Sequence, residues 1–229
     1  MAEPERLLVM IGVIARLLRG LGHVAVGASS PVPAAAALVA RELGRGRPTV
    51  SILGSETSNP FTDGGRELFD CAAQGRLDAF FLSGAQIDAT GAVNLLGLGE
   101  PGRMRRRFMG NFGAPYLASL VPNVILFRTD HGVRTLVEKV DFVTAPGVEG
   151  RWLVTDRAVF RRQAGRLRLV SWHAGEMAET VRAATGFAFE TAHDAGETPG
   201  LEAAAAAQLR GPVGAVLREV YPAFAAQLT

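Results

Sequence analysis

Two residue types are almost missing from this chain. Cys71 is the only cysteine and Lys139 the only lysine among 229 residues. A single cysteine excludes an internal disulfide and makes a cytoplasmic location the default expectation. The four histidines, His23, His131, His173 and His193, lack the close spacing with cysteine or acid that metal ligation needs, so no metal is expected. Net charge is also scarce, at +2, which gives no reason to expect a nucleic-acid partner. Apolar runs of membrane length are missing too. The longest candidate, Leu7 to Leu18, is interrupted by Arg16 and preceded by Glu3 and Glu5, so it reads as an amphipathic helix rather than a signal peptide or a span. The dinucleotide pattern G-x-G-x-x-G is absent at Gly27-Ala28-Ser29-Ser30-Pro31. That turn also lacks the second glycine of a nucleophile elbow, which makes Ser29 a poor hydrolase nucleophile.

What is present is an ordinary globular composition, 48% hydrophobic and 20% charged, long enough for one large α/β domain over 1–229. Strands are expected at His23–Gly27, Thr49–Leu53, Leu77–Leu82, Ala92–Leu98, Val124–Phe127, Val133–Val137, Asp141–Gly147, Trp152–Thr155 and Arg166–Trp172, with Ala158–Phe160 between the last two. Alternation at Leu167, Leu169 and Ser171 suits an antiparallel piece with one wet face. Helices are expected at Leu7–Leu18, Pro33–Leu43, Arg66–Gln74 and Glu176–Thr185, and over Leu201–Tyr221 with a break at Gly211-Pro212. Gly186–Glu190 reads as an extended link, and Cys71 as a small hydrophobe on a buried helix face.

Chemistry is concentrated in a few places. Leu77 to Gly99 sets two apolar runs around a polar turn that holds Gln86, Asp88, Thr90, Gly91 and Asn94, where small residues let a ligand approach the backbone. The second strand ends at Gly54-Ser55-Glu56-Thr57-Ser58-Asn59-Pro60, and ligands bind at the carboxyl ends of strands in α/β sheets. Glu56 is therefore a candidate for carboxylate chemistry, with a solvated loop acid or a turn cap as the bland alternative. Arg103, Arg105, Arg106 and Arg107 can clamp an acidic group or form a solvated loop or subunit contact. The turn from Gly110 to Ala114 would expose backbone N–H groups as oxyanion or phosphate donors. Ser171 and His173 share a strand face, but no third group completes a triad with them.

Taken in order, several motifs resemble the β-type subunit of family I CoA transferases, closest to the glutaconate type. They are Gly84-Ala85-Gln86-Ile87-Asp88 with Gly91-x-Val93-Asn94, Phe108-x-Gly110 with Gly113-Ala114, His131-x-x-Arg134, and Lys139-x-Asp141-Phe142-Val143-Thr144-x-Pro146-Gly147. Val154-Thr155-Asp156, Thr185-Gly186-Phe187 and a C-terminal helix extend the resemblance over nearly the whole chain. It implies an open, mixed, mostly parallel sheet flanked by helices, with a small antiparallel C-terminal addition. It also implies an α-type partner subunit, acyl-CoA as substrate, coenzyme A present only as part of that substrate, and no tightly bound cofactor. In this family a β-subunit glutamate attacks the thioester and carries CoA as a glutamyl thioester. Carried onto this sequence, the catalytic positions are Glu56 with backbone donors at Gly84 and Ala85, and the binding positions are Ser55, Gln86, Asn111, Gly113 and Ala114. One departure falls on the nucleophile. Where the glutaconate type reads Glu-Ser-Gly, this chain reads Gly54-Ser55-Glu56, so a glycine stands in the glutamate's register. Related β-like chains of steroid-ring-opening CoA-dependent hydrolases also lack that glutamate, although Phe112 stands here where an arginine is expected in them. Three readings follow from the resemblance: transferase subunit, hydrolase subunit, or non-catalytic support for an active α partner.

Overall fold

The computed structural model describes residues 3–109 and 111–228. From the amino end the elements are α1 (Pro4–Leu17), β1 (His23–Val26), α2 (Pro31–Leu43), β2 (Thr49–Ile52), α3 (Gly64–Ala73) and β3 (Ala79–Leu82). Short strands follow, β4 (Gln86–Asp88), β5 (Val93–Asn94), β6 (Gly97–Glu100) and β7 (Arg103–Arg107), before α4 (Ala114–Leu120) and β8 (Asn123–Arg128). Next come β9 (Leu136–Val137), β10 (Trp152–Thr155), β11 (Ala158–Gln163), β12 (Arg166–Trp172), α5 (Ala178–Ala184) and β13 (Thr191–Glu197). Three helices close the chain: α6 (Ala203–Arg210), α7 (Pro212–Val220) and α8 (Pro222–Ala225).

The described residues group into two compact units. One comprises Glu3–Phe81, Leu120–Val124 and Pro199–Thr229. In it β1 pairs in parallel with β2 on one side and β3 on the other. Leu7, Met10, Ile11, Ile14 and Leu18 recur at helical spacing on α1 and are all buried. The run Val32–Ala40 of α2 is buried on every face, which its alanines permit because they need little room and lose no rotamer freedom. Proline sits in the first turn of both helices, where no intrahelical N–H bond is sacrificed.

The other unit comprises Leu82–Ser119 and Ile125–Thr198. Here β8, β10, β11, β12 and β13 are neighbours in that order. β8 with β10 and β12 with β13 run parallel, while β10–β11–β12 is an antiparallel meander. Leu167 and Leu169 of β12 point to its buried face, as their alternation predicts. A small sheet, β5-β4-β9, and a β6–β7 hairpin complete the unit. The architecture is mixed α/β with mostly parallel pairing.

Four local readings differ from the sequence expectation. The apolar run Ala92–Leu98 is not one strand, because the Asn94 Oδ1 accepts the Leu96 and Gly97 N–H groups and turns the chain between β5 and β6. Asp141–Gly147 is irregular except for a bridge from Ala145 to Val93, since Asp141 and Thr144 spend their side chains on the N–H groups of Gly99 and Leu95. The arginine cluster is a strand, β7, paired with β6, rather than a loop. Thr191–Glu197 forms β13 although it carries the acids and glycine of a loop.

Candidate active site

The sequence-predicted residues fall in both units, and each group has its own geometry. Ser55 and Glu56 lie on the loop after β2, beside the loop after β1, at the carboxyl ends of parallel strands. Gly54 opens the loop at φ +89, a left-handed conformation that costs a glycine nothing but strains any other residue. The glycine in the glutamate's register is thus built into the turn. A carboxylate from α7 holds the rest of the loop. Glu219 Oε1 accepts the Glu56 N–H at 3.2 Å and the Ser55 hydroxyl at 3.3 Å, and Oε2 accepts the Thr57 hydroxyl at 2.7 Å. Ser55 Oγ in turn accepts the Ser58 N–H at 2.9 Å. These donors, the Thr57 hydroxyl foremost, hold the Glu219 carboxyl below its ordinary pKa. Tyr221, just past the end of α7, donates to the carbonyl of Gly27 at 3.3 Å, and burial pushes its phenol up to about 12. The C-terminal helices therefore fasten both loops. Ser55 is buried, whereas the Glu56 side chain is exposed and its carboxylate has no hydrogen-bond or ion-pair partner among the described residues. Sequence reasoning missed Glu219 and Tyr221, since nothing local marks a helical acid as the anchor of a loop more than 160 residues away.

In the other unit, the turn that opens β4 is packed at van der Waals limits. A Cβ on Gly84 would overlap Val93 Cγ1 and sit 3.1 Å from the carbonyl oxygens of Asn94 and Gln86, so only glycine fits. The Ala85 N–H donates to the Asn94 carbonyl at 2.9 Å, whereas the Gly84 N–H has no acceptor among the described residues. Gln86 is buried with both ends engaged. Its Oε1 accepts Asn94 Nδ2 at 2.7 Å and the Asp141 N–H at 2.9 Å, and its Nε2 donates to Asp141 Oδ1 at 3.1 Å. Asp141 Oδ2 accepts the Gly99 N–H at 2.7 Å, and that bond is the main reason its pKa is lowered, with Gln86 and the charge of Arg105 adding to it. Asp88 closes its own turn by accepting from Thr90 N–H, Thr90 hydroxyl and Ala92 N–H, and it reaches across to the Val140 N–H. This is a saturated scaffold.

Gly110 lies outside the described residues, and the turn after it is tight. Phe112 and Gly113 both have positive φ, the Ala114 N–H donates to Asn111 O at 2.8 Å, and the Gly113 carbonyl begins α4 by accepting from Leu117. Asn111, Gly113 and Ala114 are half-buried. Phe112 is 69% exposed, beside the fully exposed Met109. The histidines His131 and His173 are committed to structure. His131 is held between the hydroxyls of Thr155 and Thr185, and its N–H donates to Asp156. His173 Nε2 donates to the Thr155 carbonyl, and Thr198 stands between its Nδ1 and Ser171, so those two form no nucleophile pair. Among the described residues no group of three or more His, Cys, Asp or Glu is gathered to hold a metal ion. Among them, too, no helix is long and apolar enough to cross a membrane.

Residues 31–151, just over half of the chain, match the family model described as Coenzyme A transferase. The chain belongs to the coenzyme A transferase family. Its sequence similarity is to the β-type chains of the two-chain enzymes. It is 28% identical over 204 residues, 81% of this chain and 75% of its relative, to the β subunit of the 3-oxoadipate CoA-transferase of Pseudomonas knackmussii. To the β subunit of the glutaconate CoA-transferase of Acidaminococcus fermentans it is 30% identical over 125 residues, 47% of this chain and 46% of that one. The solved glutaconate coenzyme A-transferase has the same fold, with a TM-score of 0.78 at 21% identity over 98% and 97% of the two chains. The decarboxylase AibA/AibB is a further coenzyme A transferase-like neighbour, with a TM-score of 0.80 and 27% identity over 98% of each chain.

Proposed function

We propose that this chain is the β subunit of a heteromeric acyl-CoA:carboxylate CoA transferase, acting as one module over its 229 residues, and that Glu56 is its nucleophile. The observation that carries the reading is the Glu56 loop. A carboxylate that is exposed and unpaired, on a backbone pinned by Glu219 at the end of a parallel strand, is free to react and yet held in place. In the reaction, a Glu56 carboxylate oxygen attacks the thioester carbonyl, and the C–S bond breaks to give a glutamyl–acyl anhydride and CoA thiolate. The thiolate then attacks the glutamyl carbonyl, releasing the first acid and leaving CoA on Glu56 as a thioester. The acceptor acid repeats the two steps in reverse order. Of the two proposed oxyanion donors, Gly84 offers an N–H without an acceptor, whereas Ala85 would have to release Asn94 first. Ser55, Asn111, Gly113 and Ala114 are assigned to substrate binding. Gln86 would serve by holding Asp141 and Asn94 rather than by touching substrate. Coenzyme A enters as substrate, an α-type subunit is the partner, and the cytoplasm is the compartment.

A second reading is favoured by Gly54. With a left-handed glycine in the register of the family glutamate, and 27% identity to a decarboxylase, a CoA-thioester enzyme without a glutamyl intermediate is the alternative, whether a ring-opening hydrolase or a decarboxylase. Incubation of the chain and its α partner with acyl-CoA, followed by borohydride or hydroxylamine trapping, separates the two. The transferase reading expects an adduct on Glu56 that vanishes in Glu56→Ala together with exchange into an acceptor acid. Full activity of Glu56→Ala would refute the nucleophile and leave the chemistry to the α subunit.

A further inference from the structure

A cavity of about 400 Å³ opens where α1, α2 and the start of α6 meet, within the same unit as Glu56 but at the other end of its strand. Gly44 and Arg47 of its rim precede β2 whereas Glu56 follows it, and a strand of that length separates the two ends by about 13 Å. The cavity therefore belongs to the amino ends of the strands, away from the loops described above. Its wall is small and apolar, with Gly12, Ala15, Ala40 and Leu201 exposing aliphatic surface. Its rim is cationic, with Arg16, Arg19 and Arg47 against one carboxylate, Glu202. Arg19 is paired with Glu202 at 2.7 Å. Arg16 is bound to the carbonyls of Pro199 and Gly200, which leaves it without a carboxylate in contact, and Arg47 has no carboxylate partner among the described residues. The first turn of α6 also lacks a side-chain cap, so its N–H groups add to the field, which offsets the carbonyl ends of α1 and α2 on the same rim.

We propose that this cavity binds a small aliphatic monocarboxylate, with the carboxylate on Arg16 and Arg47 and the tail on the Gly12, Ala15, Ala40 and Leu201 wall. Two guanidiniums without a carboxylate in contact, beside an apolar cavity, select an anion, and the wall rewards a hydrocarbon body that a bare inorganic anion lacks. The volume suits an acid of about six to eight carbons. Because the site lies away from Glu56, it does not depend on the transferase reading.

Calorimetric titration of the full-length chain with hexanoate, hexanamide and inorganic phosphate tests it. Hexanoate is expected to bind at one site, with hexanamide and phosphate at least about tenfold weaker. Arg47→Ala should lower hexanoate affinity about tenfold, while Arg45→Ala, a neighbouring charge outside the lining, should leave it unchanged. Glu56→Ala should also bind normally, which separates this site from an acid held at the β2 loop. Equal binding of hexanamide or phosphate, an equal loss in Arg45→Ala, loss in Glu56→Ala, or no hexanoate heat at millimolar concentration would each overturn the proposal. Should Arg47→Ala fail to fold, the three-ligand comparison on the unaltered chain decides alone.

Discussion

At the scale of single residues, Glu219 does most to define the candidate site, and it does so through charge. Its carboxylate gathers three donors from the β2 loop, and their hydrogen bonds keep its pKa depressed. A depressed folded pKa means the clamp is complete above the ordinary carboxylate range and is lost as pH falls through the lower folded value. The amide resonances of Glu56 and Thr57 should therefore shift together in acid below that range. In Glu219→Gln this titration should disappear, because the amide keeps an acceptor oxygen but cannot ionise. The same variant should turn over several-fold more slowly with KM nearly unchanged, since it loosens the loop that carries the nucleophile without touching substrate. Gly54 makes the opposite point. At its φ of +89 a glutamate in that register would be strained, so a reactive carboxylate on this loop has to come from the exposed position two residues on, Glu56.

At the scale of elements, the short strands β4 and β5 hold together through side chains more than through ladders. Gln86, Asn94 and Asp141 form one buried network in which each amide end has a partner. Gln86→Leu keeps the volume but leaves the Asp141 N–H and part of Asn94 unsatisfied, which should cost about 1–3 kcal/mol. A lowered denaturant midpoint with an unchanged slope would show it. The same network explains why strand reading failed here. Apolar runs at Ala92–Leu98 and Asp141–Gly147 follow strand composition, yet Asn94, Asp141 and Thr144 take backbone donors that a ladder would have used. By contrast β1, β2, α1 and α2 were legible, because their burial is set by local periodicity and by proline at the helix starts.

At the scale of the whole molecule, the motif order carried the family across nearly the entire chain, and the full-length superposition on AibA/AibB agrees with that span. As a β-type chain, the purified protein alone should show no CoA transfer, and transfer should appear on adding its α-type partner; an exchange assay with acyl-CoA and an acceptor acid checks this. The sequence by itself determined the fold class, the helices flanking β1 and β2, the family and the candidacy of Glu56, because hydrophobic period, turn residues and motif spacing are local properties of the chain. Only the tertiary structure decided which polar groups are spent and which are free. It engaged the Ala85 N–H and both ends of Gln86, left the Gly84 N–H and the Glu56 carboxylate without partners among the described residues, and brought Glu219 and Tyr221 from the far end of the chain onto the β1 and β2 loops. A hydrogen bond between residues 163 positions apart has no signature in either segment, since its geometry exists only once the helices have packed.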